Sequence, residues 1–248
     1  MKTNVFIFAV ALFSGMGLYA QDIELPKPDF TQYSKPMITT LQERHSVREY
    51  SPDPLSMEEL STLCWAACGM SRDENHITSP TAMNRQEIRL FVFTEKGVFE
   101  YLPKKNALRP VSEKDARGLF VSNAAPLKDR TEIKSKKVRK DKNGKAEAAL
   151  HHPASDVRRA GQTFVLDAPV TLLMVIDLER FGRNDEHARM MGYIDAGIVS
   201  ENINLYCESV KLATVPRVTM DVSALRQLLN LNENQIPAVN NPVGRPRQ

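Results

Sequence analysis

Residues 169–212 read PVTLLMVIDLERFGRNDEHARMMGYIDAGIVSENINLYCESVKL, and this stretch decides the fold. Its beginning, Pro169 to Ile176, is an apolar run rich in branched side chains and predicts a buried strand. Glu186 to Leu212 is the longest helical pattern of the chain, because apolar residues recur there at helical spacing at Met190, Ile194, Ile198 and Leu205. Gly192 and Gly197 within this helix suit close packing against a neighbour or a bound ring.

Shorter elements surround this stretch. Two helices are predicted at Met37 to Glu43 and at Ser56 to Gly69, and the second begins with a capping box of Ser56 and Glu59. Further patterns predict strands at Glu87–Thr94, Val98–Leu102, Thr214–Met220 and Ile236–Val243, and short helices at Ser112–Arg117 and Val222–Leu229. Since helices and strands do not alternate as single units, we expect one α+β domain and not a doubly wound fold.

The first twenty residues have the layout of a secretory signal peptide. Lys2 gives a positive start, Val5 to Phe13 is almost wholly apolar, and Ala20 is a small residue before a predicted cleavage at Gln21. The apolar run is shorter than the ~20 residues that span a bilayer, so a retained N-terminal anchor is the less favoured alternative. We therefore expect a periplasmic or secreted protein without membrane insertion after cleavage, in which residues 21–36 form an extended, proline-containing lead-in.

Three cysteines, Cys64, Cys68 and Cys207, do not make a complete disulfide framework. Cys64 and Cys68 lie on one face of a predicted helix, where a redox pair or half of a metal site would fit. Two small buried core residues are the favoured interpretation, because free cysteine is among the most buried residue types. His151 and His152 have no third ligand at metal spacing, so no metal site is predicted.

A basic segment interrupts the chain. Between Lys128 and Lys145 there are nine basic residues against three acidic ones, a net charge of +6, whereas the whole chain carries +3. The segment contains no aromatic residue, which argues against a nucleic-acid partner. Because periodicity is weak over residues 119–159, we expect a solvated insertion within the domain 37–248.

Four polar segments are candidate ligand contacts. Arg44-His45-Ser46-Val47-Arg48 places two guanidiniums on either side of a hydroxyl, and these groups suit a phosphate if the backbone turns there. Pro80 to Gln86 combines small residues with amides that donate and accept hydrogen bonds. Val215 to Asp221 contains a proline that exposes backbone groups, and Asn241 to Arg247 adds two guanidiniums. Taken singly, the four segments are also explained, in the same order, by a solvated basic patch, a polar loop, an edge strand and a frayed tail.

The order of these segments resembles that of the nitroreductase family over about residues 37–246. The matching motifs, in chain order, are Arg44–Arg48, Trp65–Gly69, Pro80–Gln86, Ala168–Leu173, Asp195–Gly197, Leu212–Pro216 and Pro242–Gly244. No single motif is specific, but seven in the same order are hard to obtain by chance. The resemblance implies a homodimeric α+β fold with a mixed sheet flanked by helices and one FMN at each side of the subunit interface.

The resemblance also implies which residues contact the cofactor. The segment that holds the FMN phosphate and ribityl chain matches Arg44, His45, Ser46 and Arg48. The loop that the partner subunit lays against the flavin matches Pro80, Thr81, Ala82 and Asn84. The stretch that faces the reactive edge of the ring matches Pro216, Val218 and Thr219, and a C-terminal phosphate contact lies near Arg245 and Arg247. Two features depart from the family: Arg217-Val218-Thr219 replaces a glycine-containing turn, and the basic segment occupies the central connection.

Such a protein is expected to be an FMN-dependent oxidoreductase that reduces small electrophiles such as nitroaromatics or quinones, with the flavin carrying the hydride. No catalytic acid, base or nucleophile is assigned, because His187 and Tyr193 fit ordinary helix positions. One alternative is a flavin-dependent dehydrogenase of modified peptides, resembling the thiazoline and oxazoline dehydrogenases; the Lys-Tyr pair of those enzymes is absent. Another is a flavin- or peptide-binding module without turnover. The sequence does not indicate the electron donor, because NAD(P)H is expected inside the cell.

Overall fold

The computed structural model describes residues 21–31, 34–121 and 162–247. The predicted signal peptide, the basic segment Lys128 to Lys145 and His151–His152 lie outside the described residues. The helices and strands in the described part are, in chain order, β1 (Ile23–Glu24), α1 (Met37–Glu43), α2 (Met57–Cys68), β2 (Ile88–Thr94), β3 (Gly97–Leu102), β4 (Ala107–Ser112), β5 (Val170–Asp177), α3 (Glu186–Ser209), β6 (Ala213–Thr214), α4 (Val222–Leu228) and β7 (Gln235–Gly244).

These strands form one seven-stranded sheet in the order β1-β4-β3-β2-β5-β7-β6. The α+β prediction is confirmed, but the expected mixed sheet is corrected, since every pairing between the described strands is antiparallel. Short turns join β2, β3 and β4, which favours antiparallel neighbours. The path through α3, β6 and α4 brings β7 back against β5 in the opposite direction.

Strand β5 lies in the interior of the sheet and is buried at each of its positions. On one face, α2 and α3 pack against Leu172, Met174 and Ile176. On the other face, α4 and two short 3-10 turns pack against Leu173 and Val175. A strand covered on both faces requires apolar side chains throughout, which explains the continuous apolar run seen in the sequence.

The first two helices lie where the sequence predicts them. The α1 bounds are those predicted, and α2 is capped by the predicted box: the Ser56 hydroxyl accepts from the Glu59 amide at 3.1 Å, and the Glu59 carboxylate accepts from the Ser56 amide at 2.8 Å. All three cysteines are buried free thiols, and burial raises the pKa of Cys68 to about 12. The interpretation of Cys64 and Cys68 as core residues is therefore confirmed.

Three predicted elements differ in the structure. The helix expected at Ser112–Arg117 is wrong, because the Ser112 and Asp115 side chains accept from amides two residues ahead and close turns instead. The strand expected at Thr214–Met220 is only Ala213–Thr214, followed by an isolated bridge from Arg217 to Asn240, since Pro216 has no N–H to donate. Helix α3 ends at Ser209, three residues before Leu212.

Helix α3 presents small residues to the sheet and larger ones outward. An added Cβ at Gly192 would lie 2.4 Å from Ile176 Cγ2, so the glycine permits close contact between helix and sheet. An added Cβ at Gly197 meets nothing within 4 Å. The outward side carries the half-exposed side chains Met190, Tyr193 and Ile194. Within the described residues, no helix is long and apolar enough to cross a membrane.

The two glycines of α3 provide a matched test of this packing. We expect Gly192→Ala to lower the free energy of unfolding by roughly 1–2 kcal/mol, because overpacking against Ile176 outweighs the gain in helix propensity. Gly197→Ala should raise it by up to ~1 kcal/mol, since its Cβ meets open space. Urea unfolding of both variants measures the difference; equal midpoints would contradict the close contact.

Candidate functional site

The Arg44–Arg48 segment is fixed between the C-terminal tail and strand β6. The Val47 amide donates to Thr214 O at 3.0 Å, and the Ser51 amide donates to Arg245 O at 2.8 Å. Tyr50 is fully buried, and its hydroxyl donates to Val47 O at 3.0 Å. The backbone therefore brings three of the predicted contact segments together: Arg44–Arg48, the stretch around Pro216 and the C-terminal tail.

The arginines of these segments have different partners. Arg245 donates to both carboxylate oxygens of Glu59 at 2.9 Å, and Arg247 lies 3.6 Å from an oxygen of Asp167. Arg44 lies 4.0 Å from Glu201, which is a long ion pair. Arg48 is half-buried and forms no ion pair with a carboxylate among the described residues. Arg44 and Arg48 are therefore better placed to accept an added anion than Arg245 and Arg247 are.

The other predicted phosphate contacts, His45 and Ser46, are at the surface. The His45 side chain is 71% exposed, and its Nδ1 atom lies 2.8 Å from Glu43 O and 3.8 Å from Glu208. Ser46 is exposed between the two arginines. Both residues are accessible to a ligand that approaches the Arg44–Arg48 segment from solvent.

Pro216, Arg217 and Val218 form one wall of a cavity of about 330 Å³, and Thr219 is not part of its lining. Pro216 and Val218 are exposed toward solvent, and Thr219 is half-buried, with its carbonyl accepting from the Asn240 side chain at 3.2 Å. The opposite wall is the side of α3 that carries Gly197, Ser200, Glu201 and Asn204. We call this cavity the α3 groove. The open backbone at Gly197 leaves space for a flat ligand against the helix.

Arg217 turns inward from this stretch and is 7% exposed. Its guanidinium donates to Phe120 O at 2.8 Å, to the Gln162 side chain at 2.7 Å and to the Asn240 side chain at 3.0 Å. Burial, with a smaller contribution from the positive charge of Arg48, lowers the pKa of Arg217 to about 10. These hydrogen bonds hold the Arg217 guanidinium inside the protein, and Arg217 lines the cavity between Pro216 and Val218, whose side chains are exposed.

Buried polar residues that the sequence did not single out hold the two walls together. The Ser200 hydroxyl donates to Asn241 Oδ1 at 2.7 Å, and the Asn241 amide donates to Asn204 Oδ1 at 3.1 Å and to Thr214 Oγ1 at 3.3 Å. The only sequence signal was the pair Asn240-Asn241 in the middle of an otherwise apolar strand pattern. Buried amides are costly unless hydrogen-bonded, so these bonds fix the spacing of the groove.

The Pro80–Gln86 loop lies elsewhere on α3. The Ala82 amide donates to Asp195 Oδ2 at 2.8 Å, the Gln86 amide donates to Thr81 Oγ1 at 3.0 Å, and the Asn84 side chain donates to a backbone oxygen at 3.0 Å. Pro80 and Asn84 are exposed, and Thr81 and Ala82 are half-buried. None of these hydrogen bonds reaches Arg44–Arg48 or Pro216–Thr219 among the described residues. Within one chain, the loop and the groove are separate.

Comparison with known proteins identifies the fold and the family. The sequence profile of the nitroreductase family matches residues 41–245. The chain belongs to the nitroreductase family. It is 25% identical over 231 residues to the nitroreductase-like protein MJ1384 of Methanocaldococcus jannaschii, covering 90% of this chain and 96% of that protein.

Solved structures of nitroreductase-like proteins share this fold. One from Ralstonia eutropha JMP134 is 25% identical, with a TM-score of 0.70 over 94% of this chain and 92% of that chain. Nitroreductase A from Vibrio parahaemolyticus is 17% identical, with a TM-score of 0.55 over 86% of this chain and 67% of that chain. Membership of the nitroreductase family supports an oxidoreductase in general terms, and members of this family are commonly dimeric.

Arg217 provides a test of the groove's support. We expect Arg217→Ala to lower the free energy of unfolding by roughly 2–4 kcal/mol, because Phe120 O and the Asn240 and Gln162 side chains lose a charged donor. The matched control is Arg183→Ala, whose ion pair with Asp185 is exposed and should contribute at most ~1 kcal/mol. Equal stability of the two variants in urea unfolding would contradict the role of Arg217.

Proposed function

We propose that this nitroreductase-family chain binds FMN with its phosphate end at Arg44–Arg48 and its ring in the α3 groove, and that it reduces small electrophiles. The observation that supports this most directly is the charge imbalance at one end of the groove. The buried Arg217 and the half-buried Arg48 act on each other as like charges, and neither has a carboxylate partner among the described residues. A bound phosphate would relieve this repulsion, and guanidiniums bind phosphate oxygens well.

The shape of the groove fits the remainder of FMN. Gly197 leaves the helix backbone open, and Pro216 and Val218 form an apolar wall with exposed side chains. A planar ring requires flat walls of this kind. The side of the groove that is open to solvent would admit a small second molecule beside the ring. Bound FMN would supply hydride transfer. The residues of the chain would bind the phosphate, orient the ring and limit the size of the substrate to small electrophiles such as nitroaromatics or quinones.

Flavin content is the first measurement. The full chain would be expressed in a bacterial host and purified without added cofactor, and its visible spectrum and released flavin would be recorded. We expect about one FMN per chain, because the charged end and the ring walls form a single site. An intact mass beginning at Gln21 would support the proposed export and cleavage, and an unprocessed mass would oppose it.

Variants then test the two ends of the site. We expect Arg48→Ala to weaken FMN affinity roughly 10- to 100-fold through loss of a charge-assisted hydrogen bond, and Arg183→Ala to leave it unchanged. Gly197→Val should weaken FMN binding by filling the open space on α3, without loss of folding. A colourless protein that takes up no FMN would overturn the proposal. Full flavin without turnover of any donor would favour the module without catalytic activity.

A homodimer is the second part of the proposal. Met190, Tyr193 and Ile194 form a half-exposed apolar face on α3, adjacent to the helix side that lines the groove. An apolar face of this kind on a soluble domain marks a surface that another chain covers. A second copy seated there would place its own Pro80–Gln86 loop near the groove of the first.

The apolar face can be disrupted by one charge. We expect Ile194→Glu to shift the protein to a monomer in sedimentation analysis and to weaken FMN binding, because burying an unpaired carboxylate in an interface is unfavourable. Met57→Glu is the control, since Met57 is also partly exposed but lies in the first turn of α2, where an acid is favourable. An unchanged dimer, or a monomeric wild-type protein, would contradict this interface.

A further inference from the structure

Two buried carboxyl groups lie beneath the Pro80–Gln86 loop. Glu87 directly precedes β2 and is fully buried, and Asp195 on α3 is 5% exposed. Asp195 Oδ2 accepts from the Ala82 amide at 2.8 Å. Neither oxygen of Glu87 has a hydrogen-bond donor among the described residues. A buried, ionised carboxylate without donors is strongly unfavourable, so the group requires either a cation or a proton.

The charged groups around Glu87 favour the proton. Burial and the neighbouring Asp195 raise the pKa of Glu87 to about 8, against smaller opposing effects of its own backbone and of Arg180. The Arg180 guanidinium donates to the backbone oxygen of Gln86. Arg89, two residues further along the chain in β2, donates to Glu100 at 2.7 Å and forms an ion pair with it. When Glu87 is protonated, its hydroxyl becomes a donor, and Asp195 is the acceptor beside it.

We propose that Glu87 is a carboxylic acid that donates its proton to Asp195, and that this pair positions the Pro80–Gln86 loop through the Ala82 amide. The pair acts as a positioning device, because neither carboxyl group lines the α3 groove. The consequence for flavin binding rests on the proposed function, in which a partner's loop lies near the groove. The positioning of the loop within one chain does not depend on it.

The loop requires an anchor because its backbone is strained. Met83, Asn84 and Gln86 have φ values of 53°, 53° and 52°, in the left-handed region that non-glycine residues rarely adopt. Residues in such conformations persist only when surrounding contacts hold them. Met83 is 74% exposed at the tip, so its own side chain supplies little of that support. The bond from the Ala82 amide to Asp195 ties the strained turn to α3.

Loss of the shared proton would leave two facing carboxylates and favour opening of the loop. In the open loop Glu87 regains an ordinary pKa near 4.5, whereas in the closed loop its pKa is raised. The closed form therefore holds one more proton than the open form between these values. The equilibrium constant for closing the loop is therefore largest below pH 4.5, and it falls about tenfold per pH unit as the pH rises from 4.5 toward 8.

Hydrogen exchange on the FMN-free protein tests this directly. Exchange at the Ala82 amide would be followed from pH 5.5 to 8, corrected for intrinsic rates, with the Ala188 amide as the internal control, because it donates to Asp185 without a second carboxyl group. We expect protection at Ala82 to fall about tenfold per pH unit relative to Ala188. Glu87→Gln mimics the protonated acid and should retain protection while removing the pH dependence. Protection that does not change with pH in the wild type, or an unchanged slope in the variant, would overturn the proposal.

A second readout applies even if Glu87→Gln does not fold. Infrared spectroscopy of the wild-type protein at pH 6.5 should show the carbonyl band of a buried protonated carboxylic acid, and this band should disappear as the pH rises above 8. Absence of the band at pH 6.5 would refute the carboxyl pair.

The carboxyl pair and the proposed function can fail separately. A protein that takes up no FMN but shows this pH-dependent loop would refute the proposed function alone. A flavin-loaded protein with a loop insensitive to pH would refute the carboxyl pair alone.

Discussion

Gly192 allows α3 to lie directly against Ile176 in the sheet, and the functional surfaces on both sides of the helix depend on that contact. Asp195 lies one turn further along and bonds the Pro80–Gln86 loop. The next turns carry Gly197, which borders the groove, and Ser200, whose hydroxyl bonds Asn241 on β7. A protein interior is close-packed, so a helix displaced by a larger residue at 192 would move these contacts together.

The distribution of charge separates structural arginines from those available to a ligand. Arg245 and Arg247 have carboxylate partners in Glu59 and Asp167, so they stabilise the C-terminal tail whether or not an anion is bound. Arg217 is buried among neutral acceptors, and its charge adds to that of Arg48. Burying a cation without a counter-charge is costly, and an anion that binds beside it recovers part of that cost as affinity.

Elements with local signals were predictable from the sequence, and elements that depend on distant contacts were not. The capping box of Ser56 and Glu59 fixes the start of α2 within four residues, so it could be seen in the sequence. The inward turn of Arg217 depends on acceptors at Phe120 and Gln162, which are far away in the chain. Likewise, the sequence could not show that Arg245 donates to the Glu59 carboxylate, because the two residues are far apart in the chain. The sequence did not single out Glu87, because one acidic residue before a strand is an ordinary feature until the fold shows that Asp195 is its neighbour.

The geometry of α3 also explains why one chain does not complete the proposed site. Successive helix residues project about 100° apart, so Asp195 and Gly197 project roughly 160° apart. The loop that Asp195 holds and the groove that Gly197 borders therefore lie on nearly opposite sides of the helix. Ile194 projects between these two directions and is half-exposed. In a two-fold symmetric dimer, a second copy that covers Ile194 would lie between the groove and the loop of the first copy. By symmetry, each copy would then bring its own loop toward the groove of the other. The proposed homodimer would thus account for the exposed apolar face, the separated loop and the open groove together.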